Sequence, residues 1–283
     1  MALRYRWGMI QHEKAERLRA LHARPGLFVI PNPWDAGSAR LLAQLGFEAL
    51  TTTSAGLAYS LGRPDGMGRV SRAETLANAA QIVAATGLPV SADLENGFGD
   101  RPKDAAETIL QAAEVGLVGG SIEDATGNQS APIYDFALAV DRVAAAVEAA
   151  RQLPFPFTLV ARAENFLQGR PDLDDTIRRL QAYEAAGADV LFAPGLPSLA
   201  AIRQVCSSVS KPVNVVVGGT SYTLAELGAA GVKRVSTGSS LARAALQGLR
   251  NAAGEILASG TFEYAGTSIP YGEANALMGA PRG

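Results

Sequence analysis

Short runs of apolar, often β-branched residues alternate with longer Ala-rich stretches along almost the whole chain. The first run is Leu27-Phe28-Val29-Ile30, and Asp35 after it can cap a helix that runs to Gly46. A second run, 49–53, is followed by a polar loop and then by a helix opened by Ser71 with Glu74 three residues on, a capping box. Further runs at 89–93, 118–122, 157–161, 190–192, 213–217 and 232–236 are each followed by helical periodicity, at Pro102–Gly116, 134–153, 173–186, 198–206, 223–230 and 241–259. Gly46, Gly87, Gly116, Gly187 and Gly231 each follow a helical stretch and suit left-handed C-terminal caps.

Eight strand–helix units with near-continuous apolar strands predict an α/β fold, a (β/α)8 TIM-type barrel. A doubly wound open sheet uses the same alternation, but eight units in about 230 residues favour closure. The chain reads as a single domain over 1–283 with the barrel at about 25–259. Gln11 to Ala23 reads as an N-terminal helix outside the repeat. Residues 260–283 have weak periodicity and read as a C-terminal arm packed on a neighbouring subunit, or as a loose tail.

Composition narrows the class. The 283 residues are 48% hydrophobic and carry a formal net charge of -2, with basic residues too scattered for a nucleic-acid footprint. No apolar run approaches a membrane span, and the N-terminus lacks the apolar core of a signal peptide, so a cytoplasmic protein is expected. Cys206 is the single cysteine and, on the helix after the sixth strand, reads as core packing.

Active sites of such barrels form at the C-terminal ends of the strands, and there the polar residues gather. The second strand ends in Thr52-Thr53-Ser54-Ala55-Gly56, and its loop carries Arg63-Pro64-Asp65-Gly66. The third ends in Asp93-Leu94-Glu95-Asn96-Gly97-Phe98-Gly99, the fourth in Ser121-Ile122-Glu123-Asp124 and the fifth in Arg162-Ala163-Glu164-Asn165. Asn32, Asp35 and Asn214 come from strands one and seven. Read as an extended segment, Asp93 and Glu95 alternate and face one side. Carboxylates this close raise each other's pKa unless a cation neutralises them. Oxygen-only ligands suit a hard ion, Mg2+ before Mn2+. Arg162 can hold a carboxylate bidentately, and the Thr53, Ser54, Ala55, Gly56 turn offers hydroxyl and amide donors. One acid at a strand end is ordinarily a helix cap or a surface charge; three strands ending in acids, with an arginine on the next, are harder to assign to caps. Asp124 and Glu164 can instead pair with neighbouring bases.

On these residues the chain resembles the isocitrate lyase / phosphoenolpyruvate mutase superfamily over roughly residues 12–255. The strand-three motif of that family, Asp-x-Asp-x-Gly-Tyr/Phe-Gly, is similar to Asp93–Gly99, with Glu95 in place of the usual aspartate. Ser121–Asp124 is similar to the strand-four signature of the family, Ala161-Arg162 to its strand-five pair, and Thr53–Leu57 to its carboxylate-binding turn. The resemblance implies that Asp93 ligates magnesium directly, that Asp65, Glu95 and Glu123 hold it largely through water, and that Arg162 holds the substrate with the turn and Asn214. It also implies a homo-oligomer, dimer or tetramer, exchanging its last helix.

The departures bear on the reaction. The isocitrate and methylisocitrate lyases carry a Lys-x-Cys-Gly-His loop after strand four; here 124–132 contains neither Cys nor His. After strand six stands Ala193-Pro194-Gly195, where relatives often place a polar residue. The resemblance implies a carbon–carbon lyase that acts on a small 2-oxo or 2-hydroxy di- or tricarboxylate through a metal-stabilised enolate. A decarboxylase of the oxaloacetate type suits the missing cysteine; an isocitrate-lyase-like activity needs another proton donor, such as Tyr59. The alternatives are carbon–phosphorus chemistry (phosphoenolpyruvate mutase or phosphonopyruvate hydrolase), with Thr126 and Asn128 serving in the loop, and a non-catalytic 2-oxo-acid-binding barrel.

Overall fold

The computed structural model describes residues 2–218 and 222–279, with side chains described from residue 10 onward. Helix α1 (Ala2–Ala23) precedes the repeat, which runs β1 (Phe28–Ile30), α2 (Ala36–Gln44), β2 (Leu50–Thr51), α3 (Ser54–Ser60), α4 (Arg72–Ala85), β3 (Val90–Asp93) and α5 (Pro102–Glu114). It continues with β4 (Gly119–Glu123), α6 (Phe136–Arg151), β5 (Thr158–Arg162), α7 (Leu173–Ala186), β6 (Val190–Phe192) and α8 (Leu199–Ser208). The last elements are β7 (Val213–Val216), α9 (Leu224–Ala229), β8 (Arg234–Ser236), α10 (Ser240–Ser259), a 3-10 turn at Glu263–Gly266 and α11 (Tyr271–Gly279).

The eight strands form one parallel sheet in the order β1-β8-β7-β6-β5-β4-β3-β2. Its two ends meet where the Thr51 N–H donates to the Pro31 carbonyl at 3.1 Å, which brings the sheet round into the expected (β/α)8 barrel. Asn32 braces this seam: its amide donates to the Thr52 carbonyl, and its Oδ1 accepts from the N–H groups of Thr237 and Gly238. Asp35 and Ser71 cap α2 and α4 as expected, Ser71 through its capping box with Glu74 and Asp35 through a further box with Ser38.

The core lies between the strands and the helical ring, where Ile30, Leu50, Ile82, Ile109, Leu159 and Leu180 are almost wholly buried; each contributes about 2 kcal/mol of transfer free energy. Helix α1 closes the N-terminal end of the barrel. Leu18 is fully buried there, so close to β4 that a methyl on Gly119 would meet its Cδ2 at 3.2 Å. The opposite end stays open to ligands.

Three expectations change. The polar loop after β2 begins as helix α3, because Thr53 caps it by accepting from the Gly56 N–H. Gly56 is required there: a methyl would lie 2.9 Å from Trp34 Cβ. Gly87 is not a left-handed cap, since α4 stops at Ala85 and Thr86 is already extended. The C-terminal segment is helical rather than loose, and α11 returns to α2, where Met278 Sδ would meet a methyl on Gly37 at 3.9 Å. Helix α10 buries only Ala242 among its residues.

Candidate active site

Asp93 is the last residue of β3 and the centre of the polar cluster. Its Oδ2 accepts from the Ser54 hydroxyl at 2.9 Å, at the start of α3, and its Oδ1 from Arg162 Nη1 at 3.2 Å, at the end of β5. Its backbone N–H donates to the Thr52 hydroxyl. The same Arg162 Nη1 lies 3.2 Å from Glu123 Oε2 at the end of β4, and Nη2 lies 2.7 Å from Glu164 Oε1. The guanidinium also sits 5.0 Å from the Phe192 ring centroid, over its face. Adjacent parallel strands bring these ends together: β4 and β5 are paired with Glu123 opposite Arg162.

Glu95 reaches the cluster by a route other than the expected one. β3 ends at Asp93, and Glu95 is not extended but left-handed at φ 48°, followed by Gly97 at 79° and Phe98 at 58°. Two non-glycine residues in this region cost about 1–3 kcal/mol each, so the turn must be held from outside. Arg142 does so: it is almost fully buried, donates to the carbonyls of Asn96 and Gly99, and stacks 4.3 Å over Tyr134. The Tyr134 hydroxyl accepts from Asn96 and donates to Asp100. Gly97 itself has no room for a side chain, with Ala105 Cα 2.9 Å from a Cβ placed there.

A second buried network supports β4 and β5 from behind. Asp124 accepts from the Tyr183 hydroxyl at 2.6 Å, from Arg179 at 3.0 Å and from the Glu164 N–H at 2.8 Å. Asp124 thus pairs with a neighbouring base, as Glu164 does with Arg162, and neither is a free carboxylate.

The electrostatics are lopsided. Asp65, Asp93, Glu95, Glu123 and Glu164 surround one guanidinium, Arg162. Burial, then the charges of Asp93 and Asp65, push the Glu95 carboxyl up to about 7. Burial likewise raises Glu123 well above the usual range, with Glu164, Asp93 and Glu95 adding to it. Asp65 is raised by desolvation and by Asp93. Burial opposes the charge of Arg162, yet Glu164, Glu123 and Asp93 hold it protonated. Such a cluster calls for further positive charge. Among the described residues no three acids, histidines or cysteines stand close enough to cage a metal directly. Magnesium commonly binds through one or two carboxylates and keeps several waters, so an oxygen-only set of this sparseness fits it better than an ion that needs a full protein cage.

Beside Asp93 a cavity of about 180 Å³ opens, lined by Thr53, Ser54, Ala55, Asp65, Asp93, Arg162 and Asn214 among the expected residues. Gly56 lies just behind this wall, packed on Trp34. Glu95 faces a neighbouring groove with Arg72 and Phe98, and Glu123 stands behind Arg162. Tyr59 on α3 and the exposed Asn128 are not part of the lining. Asn128 instead shapes its own loop: its Oδ1 accepts from the Ser130 N–H and hydroxyl, and the loop closes through an antiparallel bridge between Ala125 and Ile133. Cys206 is partly buried and its thiol is pushed up to about 11 by burial, as suits a packing role. The cavity also contains Asn32, Ser236 and Arg234. Asn32 belongs to the polar strand ends of the sequence; Ser236 and Arg234 lie outside those motifs, and the sequence signal for Arg234 is a charged residue inside an apolar strand.

The chain is similar to several known proteins. It is 35% identical over 260 residues to an uncharacterised protein of Mycobacterium tuberculosis, covering 91% of this chain and 94% of that one. It is 31% identical to the 2-methylisocitrate lyase of Bacillus subtilis, over 72% of this chain and 67% of the lyase. A crystal structure from Burkholderia cenocepacia J2315, described provisionally as a lyase/mutase, superposes with a TM-score of 0.94 at 58% identity, covering 96% of this chain and 98% of that one. The family model for phosphoenolpyruvate phosphomutase matches residues 18–257, which span the barrel and its acidic cluster, and the chain belongs to that family, within the PEP mutase/isocitrate lyase superfamily.

Proposed function

We propose that the protein is a magnesium-dependent carbon–carbon lyase acting on a small 2-oxo or 2-hydroxy di- or tricarboxylate, with oxaloacetate-type decarboxylation the reaction its site suits best. The observation that carries this reading is the cation-deficient cluster around Asp93 and Arg162, set beside a cavity that supplies hydroxyl donors from Thr53 and Ser54. Asp93 would hold the ion directly, with Asp65, Glu95 and Glu123 holding its waters; bound there, the ion supplies Lewis-acid charge to the oxygens of a 2-oxo acid.

The chain's own residues do the rest. Ser54 and the first turn of α3 orient a carboxylate against Asp93, and Asn214 bounds the cavity on the β7 side. Arg162 adds fixed positive potential where charge develops, in a position held by Glu164 and Phe192. In decarboxylation the bond to the departing carboxylate breaks, its electron pair passes into the 2-oxo group as an enolate, and a proton returns to carbon. The loop from Asp124 to Pro132 has no cysteine or histidine to serve as acid. Loss of carbon dioxide needs none for the departing group, and we assign the returning proton to solvent, since Tyr59 lies off the cavity wall. We also propose a homo-oligomer, because α10 leaves Leu246, Leu249 and Leu257 exposed.

Carbon–phosphorus chemistry is the second reading, favoured by the matched family model. The test is to incubate the protein with Mg2+ and oxaloacetate, isocitrate, methylisocitrate or phosphonopyruvate, following pyruvate, glyoxylate, succinate and phosphate. Pyruvate from oxaloacetate, lost on chelation and in Asp93→Asn, is the expected result. Phosphate or rearranged product from phosphonopyruvate alone would replace it with the second reading. Tight oxalate binding without any turnover would favour a binding protein.

A further inference from the structure

Arg234 lies on β8 with its side chain turned into the barrel; its neighbour Val235 belongs to the outer core, while Arg234 and Ser236 line the cavity that holds Asp93 and Arg162. Arg234 is only 3% exposed, yet its Nε and Nη1 are buried without any hydrogen-bond partner, and no acid among the described residues forms an ion pair with it. The next residue round the barrel in register, Asn214, gives its amide to Ser236 Oγ at 3.0 Å, and its own buried Oδ1 is left without a partner. On the other side His22 stays neutral and offers no charge: burial, then the charge of Arg234, push its pKa down to about 3.

A buried guanidinium without a counter-charge costs several kcal/mol, and buried polar groups left open in a cavity mark the place of a ligand. The other basic residue lining the cavity, Arg162, is already shared by Asp93, Glu123 and Glu164. The exposed loop at 126–131 contributes no basic residue.

We propose that Arg234 is a second anion anchor, receiving the distal carboxylate of a two-carboxylate ligand whose 2-oxo or 2-hydroxy acid end lies at Asp93 and Arg162. The far end of the substrate therefore points inward between β7 and β8, not outward to the 124–132 loop. Ser236, whose hydroxyl accepts from Asn214 and can donate to the carboxylate, completes the distal subsite, with Asn214 beside it. The inference rests on the reading of the Asp93 cluster as a 2-oxo-acid site and adds which end of the ligand goes where.

Calorimetry with Mg2+ tests it, using pyruvate against 2-oxoglutarate and lactate against malate, with oxalate as the reporter of the Asp93 end. The diacid of at least one pair should bind the wild-type protein about 10- to 100-fold tighter than its monoacid. Arg234→Met should abolish that preference while oxalate affinity changes less than about twofold, and Arg234→Lys should restore part of it. Without ligand, Arg234→Met should melt no lower than the wild type, since an unpaired buried charge is replaced by an apolar chain of similar length. Equal affinity for monoacids and diacids in the wild type, or an unchanged preference in Arg234→Met, overturns the inference and leaves the Asp93 site intact. A preference for phosphonopyruvate that disappears in Arg234→Met reassigns the anchor from carboxylate to phosphonate. Failure of oxalate to bind the wild type overturns the Asp93 reading, and the inference with it.

Discussion

His22 stands at the closed end of the barrel, where α1 meets the start of β1, and it makes a direct prediction about stability and pH. Its Nδ1 donates to the Leu18 carbonyl at 2.8 Å, its ring meets Phe28 edge-to-face at 5.0 Å, and its Nε2 is buried without a partner. Protonation would place an unsatisfied N–H there, next to the positive charges of Arg234 and Lys233. Burial first, and those charges after it, therefore lower its pKa from 6.5 to about 3. The unfolded chain binds this proton at a higher pH than the folded protein does. The contribution of neutral His22 is thus fully present above pH 6.5 and is lost as pH falls toward 3, by about 1.4 kcal/mol per pH unit within that window. Between about pH 7.5 and pH 5 the loss attributable to His22 is roughly 2 kcal/mol. That corresponds to a melting shift of roughly 3–4 °C for a chain of 283 residues. Urea unfolding of wild type and His22→Gln at both pH values isolates the effect, because every other titrating group is common to the two proteins. The wild type should lose about 2 kcal/mol more than the variant. Parallel losses would refute the reasoning and show that the imidazole is solvated in the folded state.

The turn at Glu95 predicts a trade between stability and function. Glu95→Gly should relieve a left-handed glutamate and a crowded carboxyl, raising the unfolding free energy by about 1 kcal/mol, while Mg2+ titration shows weaker binding. Tyr183→Phe removes the 2.6 Å bond to Asp124 and should cost about 1–3 kcal/mol in urea unfolding, since the acceptor stays buried. Cys206→Ser should leave kcat/KM with the preferred substrate unchanged, and the wild-type thiol, pushed up to about 11, should react slowly with iodoacetamide at about pH 8. Rapid labelling in the folded protein would contradict that.

Periodicity and capping chemistry made the barrel legible before any coordinate. Strands buried on both faces read as apolar runs, and Asp35 and Ser71 carry the side-chain oxygens that start helices α2 and α4. Strand ends of a parallel barrel share one mouth, so Asp93, Glu123 and Arg162 could be grouped from their positions alone. Glu95 comes near Asp93 and Asp65 through a left-handed turn, not through the extended alternation expected of it. A period of two cannot report that φ becomes positive at residue 95, because that conformation is held by Tyr134 and Arg142, bonded to Asn96 from 38 and 46 positions away.

The order of elements, the barrel class and the acidic strand ends were thus determined by the sequence, through signals that act within a turn or two of the chain. Only the tertiary structure decided how charge is shared among them. It showed that Arg162 serves three carboxylates at once, that Asp124 belongs to the buried Arg179–Tyr183 network, and that Arg234 Nε and Nη1 find no partner among the described residues. Pairing, burial and the pKa values that follow depend on distances between residues far apart in the chain, and those distances exist only once the barrel has closed.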